Sequence, residues 1–321
     1  MKLSMRDIFL KYSVYILLVV LFLFFALTSP SFLSAGNVAN FFRQIPPVGI
    51  LTVAYAMVLV TGYVDLSIAS IAAFCGVLAA YFSVLGLPVI LVILLPIIAG
   101  ALLGSVNGFL IKKLALPSFI LTLGTNYVIR GLLMFSTNGI YVTGTPDYFR
   151  KIATTPILPA ITQNLFFSNT LIFVIITLVF AYVMRNTRFG KYCYAIGSNQ
   201  EAARLSGIKT DRHVIHVFAI EGALAAIAGI LLMSNLNVGG PNEGQGLDLL
   251  ALAAAIMGGT SFSGGVGTIG GAVVGILTLQ LFTNGLAIMG VNAFMQQAVT
   301  GAVIILSIII DYIRRVSEER S

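Results

Sequence analysis

At 321 residues, 58% hydrophobic and only 9% charged, with a mean hydropathy of +1.01, the chain falls outside the range of water-soluble domains, which carry about 25% charge. This predicts an all-α polytopic membrane protein, one transmembrane unit over 1–321, with room for about ten spans of roughly 20 residues. The net charge of +7 is no nucleic-acid signal, because 14 of the 18 Lys and Arg fall in segments that the positive-inside rule places on the cytoplasmic side.

The N-terminus carries Lys2, Arg6 and Lys11 ahead of an apolar run from Tyr12 to Leu27. A signal peptide would show a better cleavage site than the one ending at Ala35, with Leu33 at −3, so a retained first span with its N-terminus inside is expected. A short outer helix within 31–44 and then a span over Pro46–Gly62 follow. Leu66–Leu85 returns after Gly62-Tyr63-Val64-Asp65, and Pro88–Ile111 runs in to Lys112 and Lys113. Pro117–Phe135 comes out, an outer loop fills 136–168, and Asn169–Met184 goes in. After a polar loop at 186–213, Val214–Met233 comes out to a Gly-rich outer loop at 234–246. Leu247–Met257 is a short segment, Thr268–Met289 comes out, and Ala293–Ile313 ends on Arg314 and Arg315, so both termini are cytoplasmic.

Gly100, Gly104 and Gly108 recur every four residues in the fourth span, and Gly267, Gly271 and Gly275 do so around the start of the ninth. Small residues at that spacing let helix backbones approach closely in lipid. Those two spans run in opposite directions, as do the spans that Asp65 (VDLS) and Asp248 (LDLL) open, the pattern of an inverted repeat. Cys75 and Cys193 fall on opposite sides of the spans, which predicts no disulfide. His213 and His216 have no companions with which to build a metal site.

Ionisable groups in or beside the spans are few: Asp65, Arg130, Glu221 and Asp248. Charge near the bilayer centre marks a pathway, a buried pair or a clamp. Ser118, Thr122, Asn126 and Arg130, four apart, form one polar stripe on the fifth span and with Asp65 make the candidate pathway. Two readings fit Arg130: it faces the interior, or it snorkels to the outer surface. Arg43, Arg150 and Lys151 are the basic residues placed outside, where cationic patches steer acidic partners. The run GGTSFSGGVGTIGG lacks the Lys-Ser/Thr of a phosphate loop, so any ATP hydrolysis belongs to another subunit.

The stretch 185–213, RNTRFGKYCYAIGSNQEAARLSGIKTDRH, is the most charged interruption of the apolar sequence. Ser198-Asn199-Gln200-Glu201 reads as a capping box with Ser198 as N-cap and Glu201 three residues on. A short helix follows through Leu205, with Gly207 as its left-handed stop. Such a helix reads either as a docking surface, with Ala202 and Ala203 small enough to lie against a partner's groove, or as an ordered loop.

The run EAARLSGI at 201–208 resembles the EAA-loop of ABC importer permeases. GYVDLSIAS at 62–70, NGFLIKKLALPSFILTLGTNYVIRGL at 107–132, FGKYCYAIGSNQEAARLSGI at 189–208 and LDLLALAAAIMGGTSFSGGVGTIGG at 247–271 together resemble the ribose-type (monosaccharide) and branched-chain-amino-acid-like permease family. Ala69, Leu250 and Leu252 depart from its usual pattern by small apolar changes. The resemblance implies an inner-membrane subunit that forms the translocation pathway for a sugar and binds no cofactor itself. It implies ATP-binding subunits carrying ATP and Mg, engaged through the Ser198–Gly207 helix (Ser198, Glu201, Ala202, Ala203, Gly207). It also implies a second permease subunit, an extracytoplasmic sugar-binding protein met at Arg43, Arg150 and Lys151, and surrounding membrane lipid. The competing reading from the residues alone is an ion-coupled secondary transporter using Asp65, Glu221 and Asp248 as coupling carboxylates.

Overall fold

The computed structural model describes residues 5–162, 164–303, 305 and 309. Its helices are α1 (Met5–Thr28), α2 (Ala35–Val60), α3 (Ile68–Val84), α4 (Val89–Leu114), α5 (Ser118–Thr137), α6 (Asp147–Thr154), α7 (Pro159–Thr162), α8 (Ser168–Asn186), α9 (Arg188–Ser198), α10 (Gln200–Leu205), α11 (Thr210–Leu236), α12 (Leu247–Met257) and α13 (Ile269–Ile288). Helical backbone resumes at 293–303, and the rest of the predicted Ala293–Ile313 span lies largely outside the described residues. Among the described residues every regular element is helical. Six helices (α2, α4, α5, α8, α11 and α13) are long and apolar enough to cross a membrane; α3, α12 and the Val14–Thr28 part of α1 are apolar but shorter. Helices satisfy their own backbone groups, which lipid cannot do.

The bundle is built around α11, which packs on α2, α3 and α4. Glycines make the contact close: a Cβ on Gly104 would overlap the Phe218 carbonyl, and one on Gly222 the Gly100 carbonyl. A Cβ on Gly108 would come within 2.9 Å of the Ile215 backbone. The other side of α4 turns Ile90, Leu94, Ile98, Leu102 and Phe109 outward. Small residues inside and large apolar ones outside suit helices whose association in lipid rests on packing. Gly271 and Gly275 do the same between α12 and α13, against the Gly258 and Ala254 carbonyls. Gly267 does not belong with them. It precedes the N-cap Thr268 at φ +151°, in a loop, because the helix that would carry the four-residue period starts only after it.

The expected break between an outer helix and a span at Pro46 is absent: α2 runs unbroken through Pro46 and Pro47. A proline removes one N–H and frees the carbonyl four residues back. Both freed carbonyls find side-chain donors. Phe42 O accepts from Thr170 Oγ1 (2.8 Å), and Arg43 O accepts from Asn169 Nδ2 (2.8 Å) and Asn235 Nδ2 (3.1 Å). The loop 136–168 is likewise more ordered than its prolines suggest. In it, α6 buries Phe149 and Ala153 and leaves Arg150 and Lys151 exposed. Ser234 of α11 holds α6 by accepting from Ala153 N (3.1 Å). A backbone pair between Val142 and Gly239, 2.8 Å in both directions, ties this loop to 234–246.

Candidate functional site: a braced polar segment and two polar clusters

The segment 186–213 folds as two helices at the face where α4 ends in Lys112 and Lys113 and α8 in Arg185. Thr187 caps α9 by accepting from Gly190 N (3.4 Å). Cys193 Sγ lies 3.3 Å from His213 Nε2, and the rings of Phe189 and Tyr192 pack on His213 at 4.8 and 5.6 Å between centroids. Burial pushes the Cys193 thiol up to about 11, so it is a neutral packing group and not a nucleophile. Both cysteines are free and buried.

At its end α9 meets two other elements backbone to backbone. A Cβ on Gly197 would overlap the Val60 carbonyl and come within 2.5 Å of Gly265 N. Gly265 N itself donates to Val60 O (2.8 Å), Gly264 sits against Gly62, and Tyr194 Oη donates to Gly267 O (2.8 Å). The loop 258–267, which carries no phosphate-loop lysine, thus joins the ends of α2, α9 and α12 in one junction that only glycines can form.

Three expectations about α10 are corrected here. Its N-cap is Asn199, whose Oδ1 accepts from Ala202 N (2.9 Å), and not Ser198, which closes α9 because the junction carries that helix one residue further. Glu201 does not reach back to a cap; it pairs with Arg204 at 2.7 Å. Ala203 is 5% exposed and packs into the core of its own chain, so it cannot lie in a partner's groove. Ala202 is exposed, and Gly207, at φ +86°, has open space around it. Leu205 is 80% exposed on the same short helix, beside Ala202. Its signal was an apolar residue between Arg204 and Ser206 in a polar run.

Behind the junction lies the first polar cluster. The 61–67 loop is held by α5: Val64 N donates to Ser118 Oγ and Leu66 N to Thr122 Oγ1, both at 3.0 Å. Asp65 is fully buried, and its Oδ1 accepts from Ser67 N and Ser67 Oγ at 2.6 Å each. Asn107 Nδ2 donates to Ser67 Oγ (2.8 Å), and Thr125 Oγ1 donates to Asn107 Oδ1 (2.9 Å). Glu221, 1% exposed on α11, has its carboxyl within hydrogen-bonding reach of Asp65. Tyr63 connects this loop to α10 by donating to Gln200 Oε1 (3.0 Å). Lys112 reaches the Tyr63 hydroxyl (3.4 Å) and pairs with Asp211 (3.0 Å).

The second cluster lies at the opposite face. Arg130 Nη1 donates to Pro241 O (2.7 Å) and Glu243 O (3.0 Å), with Asp248 in its electrostatic field. Tyr141 Oη donates to Glu243 Oε1 (3.0 Å). Arg130 is half-buried, and its guanidinium clamps the 238–246 loop onto α5. The stripe is therefore divided. Ser118 and Thr122 hold the 61–67 loop, Arg130 holds the far one, and Asn126 is half-buried between them. Asp65 is not brought to Arg130. Arg43 stacks 4.4 Å over the Phe167 ring and is half-buried, whereas Arg150 and Lys151 on α6 are exposed.

An all-helical, lipid-facing bundle with a structured polar segment locked by backbone contacts to its own spans is the architecture of a membrane transport subunit. The family model described as branched-chain amino acid transport system / permease component matches residues 37–308, and the chain belongs to that family. It is 37% identical over 304 residues to the ribose import permease protein RbsC of Bacillus subtilis (strain 168), covering 92% of this chain and 90% of that one. It is 36% identical to the L-arabinose ABC transporter permease protein AraH of Azospirillum brasilense (92% and 86% covered). It is 34% identical to the xylose transport system permease protein XylH of Escherichia coli K12 (92% and 89% covered). No solved structure matches the chain.

Proposed function

We propose that this chain is the membrane-spanning permease subunit of an ATP-driven ABC importer for a monosaccharide, a ribose-like pentose or a related sugar, in a bacterial inner membrane. It works as a homo- or heterodimer of permeases, with two ATP-binding subunits inside and a sugar-binding protein outside. The face carrying Lys112, Lys113, Arg185 and the 186–213 segment is cytoplasmic, and ten spans place both termini on that side. ATP and Mg belong to the partner ATPase; the chain itself binds no cofactor. The exposed part of α10, with Glu201, Ala202, Leu205 and Gly207, meets the ATPase, while Ser198 and Ala203 seat the helix from behind. Arg150 and Lys151 meet the binding protein. Asp65, Ser118, Thr122, Asn126 and Arg130 order the loops that border the pathway. Sugar permeases of three kinds among the relatives support the substrate class.

The observation that carries this reading is the glycine junction. It joins a partner-facing helix to the inner ends of α2 and α12 without flexible side chains, so a push on α10 is transmitted to the spans. The test is sugar uptake in proteoliposomes containing the permease, its ATPase and its binding protein. Uptake is expected to stop on ATP depletion and to survive a protonophore. The reverse result would establish the ion-coupled alternative.

A further inference from the structure

We propose that the permease carries a buried proton between Glu221 and Asp65, with Glu221 as the donor, and that this proton closes the 61–67 loop onto α11. The direction of the hydrogen-bond chain assigns it. Thr125 Oγ1 lies within donating distance of Asn107 Oδ1 (2.9 Å) and of Leu121 O (3.1 Å), and Asn107 Nδ2 donates to Ser67 Oγ (2.8 Å). The backbone N–H of Ser67, which can only donate, gives its hydrogen to Asp65 Oδ1, and the Ser67 hydroxyl donates to the same oxygen. Asp65 is an acceptor throughout, so it is the carboxylate. Its Oδ2 receives no donor from any of these groups, and neither does either oxygen of Glu221. The two carboxyls nevertheless reach one another, and two carboxyls hydrogen-bond only when one holds a proton.

Among the described residues no free cation stands in for the proton. Lys112 is engaged by Asp211, and Arg130 by the backbone of the opposite loop. From α2 the fully buried Tyr55 lies in the electrostatic field of both carboxyls, and α4 contributes Asn107 and α5 Thr122 and Thr125. Asp248 is the remaining acid, and Arg130 faces it. Leaving two bare carboxylates side by side away from water would be strongly unfavourable. The site is a latch: α11 carries the proton donor, the loop between α2 and α3 carries the acceptor, and parting the two exposes the proton to exchange.

Infrared spectroscopy of the reconstituted permease tests this independently of transport. At neutral pH the wild type is expected to show the carbonyl stretch of a protonated carboxylic acid, shifted by deuterium. Glu221→Gln keeps a donor to Asp65, so it is expected to fold and to lose the band; Asp248→Asn is expected to keep it. Absence of the band from the wild type would overturn the proposal, as would its persistence in Glu221→Gln. If that variant fails to fold, titration of the wild type decides: the band must disappear at alkaline pH together with thermal stability. Stability that follows sodium concentration at fixed pH instead would put a metal ion in the site and refute the proton.

Discussion

Gly197→Ala is the most direct perturbation of the link between α10 and the spans. The added Cβ would lie 2.5 Å from Gly265 N and overlap the Val60 carbonyl, where an unstrained carbon contact needs about 3.5–4.0 Å. Both neighbours are backbone, so α9 must back away by roughly 1 Å. Overpacking of this kind costs about 1–3 kcal/mol, and weakening the Gly265 N–H to Val60 O bond adds about 0.5–1.5 kcal/mol. A loss of about 1.5–4.5 kcal/mol at the junction disfavours the braced arrangement by at least about tenfold. The spans themselves are untouched, so insertion and ATPase association are expected to persist. ATP-driven uptake in proteoliposomes should fall at least about tenfold while hydrolysis continues. Gly131→Ala, where nothing lies within 4 Å of the new Cβ, is the matched control and should be silent. Wild-type uptake by Gly197→Ala at equal expression would refute the transmission argument.

Leu205→Asp removes the exposed apolar contact of α10 and should abolish co-purification with the ATPase while leaving thermal stability unchanged. Ala203→Trp, at a buried position, should instead lower stability; the opposite pairing would mean the helix faces the other way. Arg130→Leu removes two charge-assisted hydrogen bonds worth about 1.5–3 kcal/mol each. It should speed hydrogen exchange in 238–246, and unchanged exchange there would remove Arg130 as the clamp. Exchanging Arg150 and Lys151 for Glu should weaken stimulation of the ATPase by the binding protein, most visibly at low salt, because exposed charges are screened within a Debye length; stimulation equal to wild type at every ionic strength would place the docking surface elsewhere. Cys193, its thiol raised to about 11 by burial, should react with maleimide far more slowly than a peptide thiol at pH 7.5. Its labelling should accelerate in Gly197→Ala if α9 backs away, and equal rates in the two proteins would show that α9 stays in place.

What the sequence made legible is what depends on local period and composition: the apolar spans, the four-residue glycine repeat of α4, and the glycine stop after α10. What it hid depends on residues far apart in the chain. The Pro46-Pro47 pair reads as a helix start because the donors that relieve it, Thr170 and Asn169, lie on α8, more than a hundred positions on. Ser198 and Asn199 are both competent caps, and only the packing of Gly197 against α2 selects the second. Glu221 shows no partner in its own helix, because Asp65 comes to it from the α2–α3 loop. The glycines of GGTSFSGGVG announce a tight turn, but not that three elements meet on it.

The paired prolines of α2 have a mechanical consequence. Because Phe42 O and Arg43 O are bound by Asn169 and Thr170 of α8 and Asn235 of α11, these three helices are pinned at one depth, at the end away from the 186–213 segment. Their inner ends are not pinned in that way. From Arg43 to Val60 is roughly 26 Å of helix at about 1.5 Å per residue, so each degree of tilt about that pin moves Val60 by roughly half an ångström. Val60 is the residue whose carbonyl Gly265 holds. On the proposed reading, α2 is thus geared like a lever, with its fulcrum at Arg43 and its handle at Val60. A displacement of one or two ångströms applied through α10 is enough to swing α2 by a few degrees, and the proline-freed carbonyls let it do so without breaking a helical hydrogen bond.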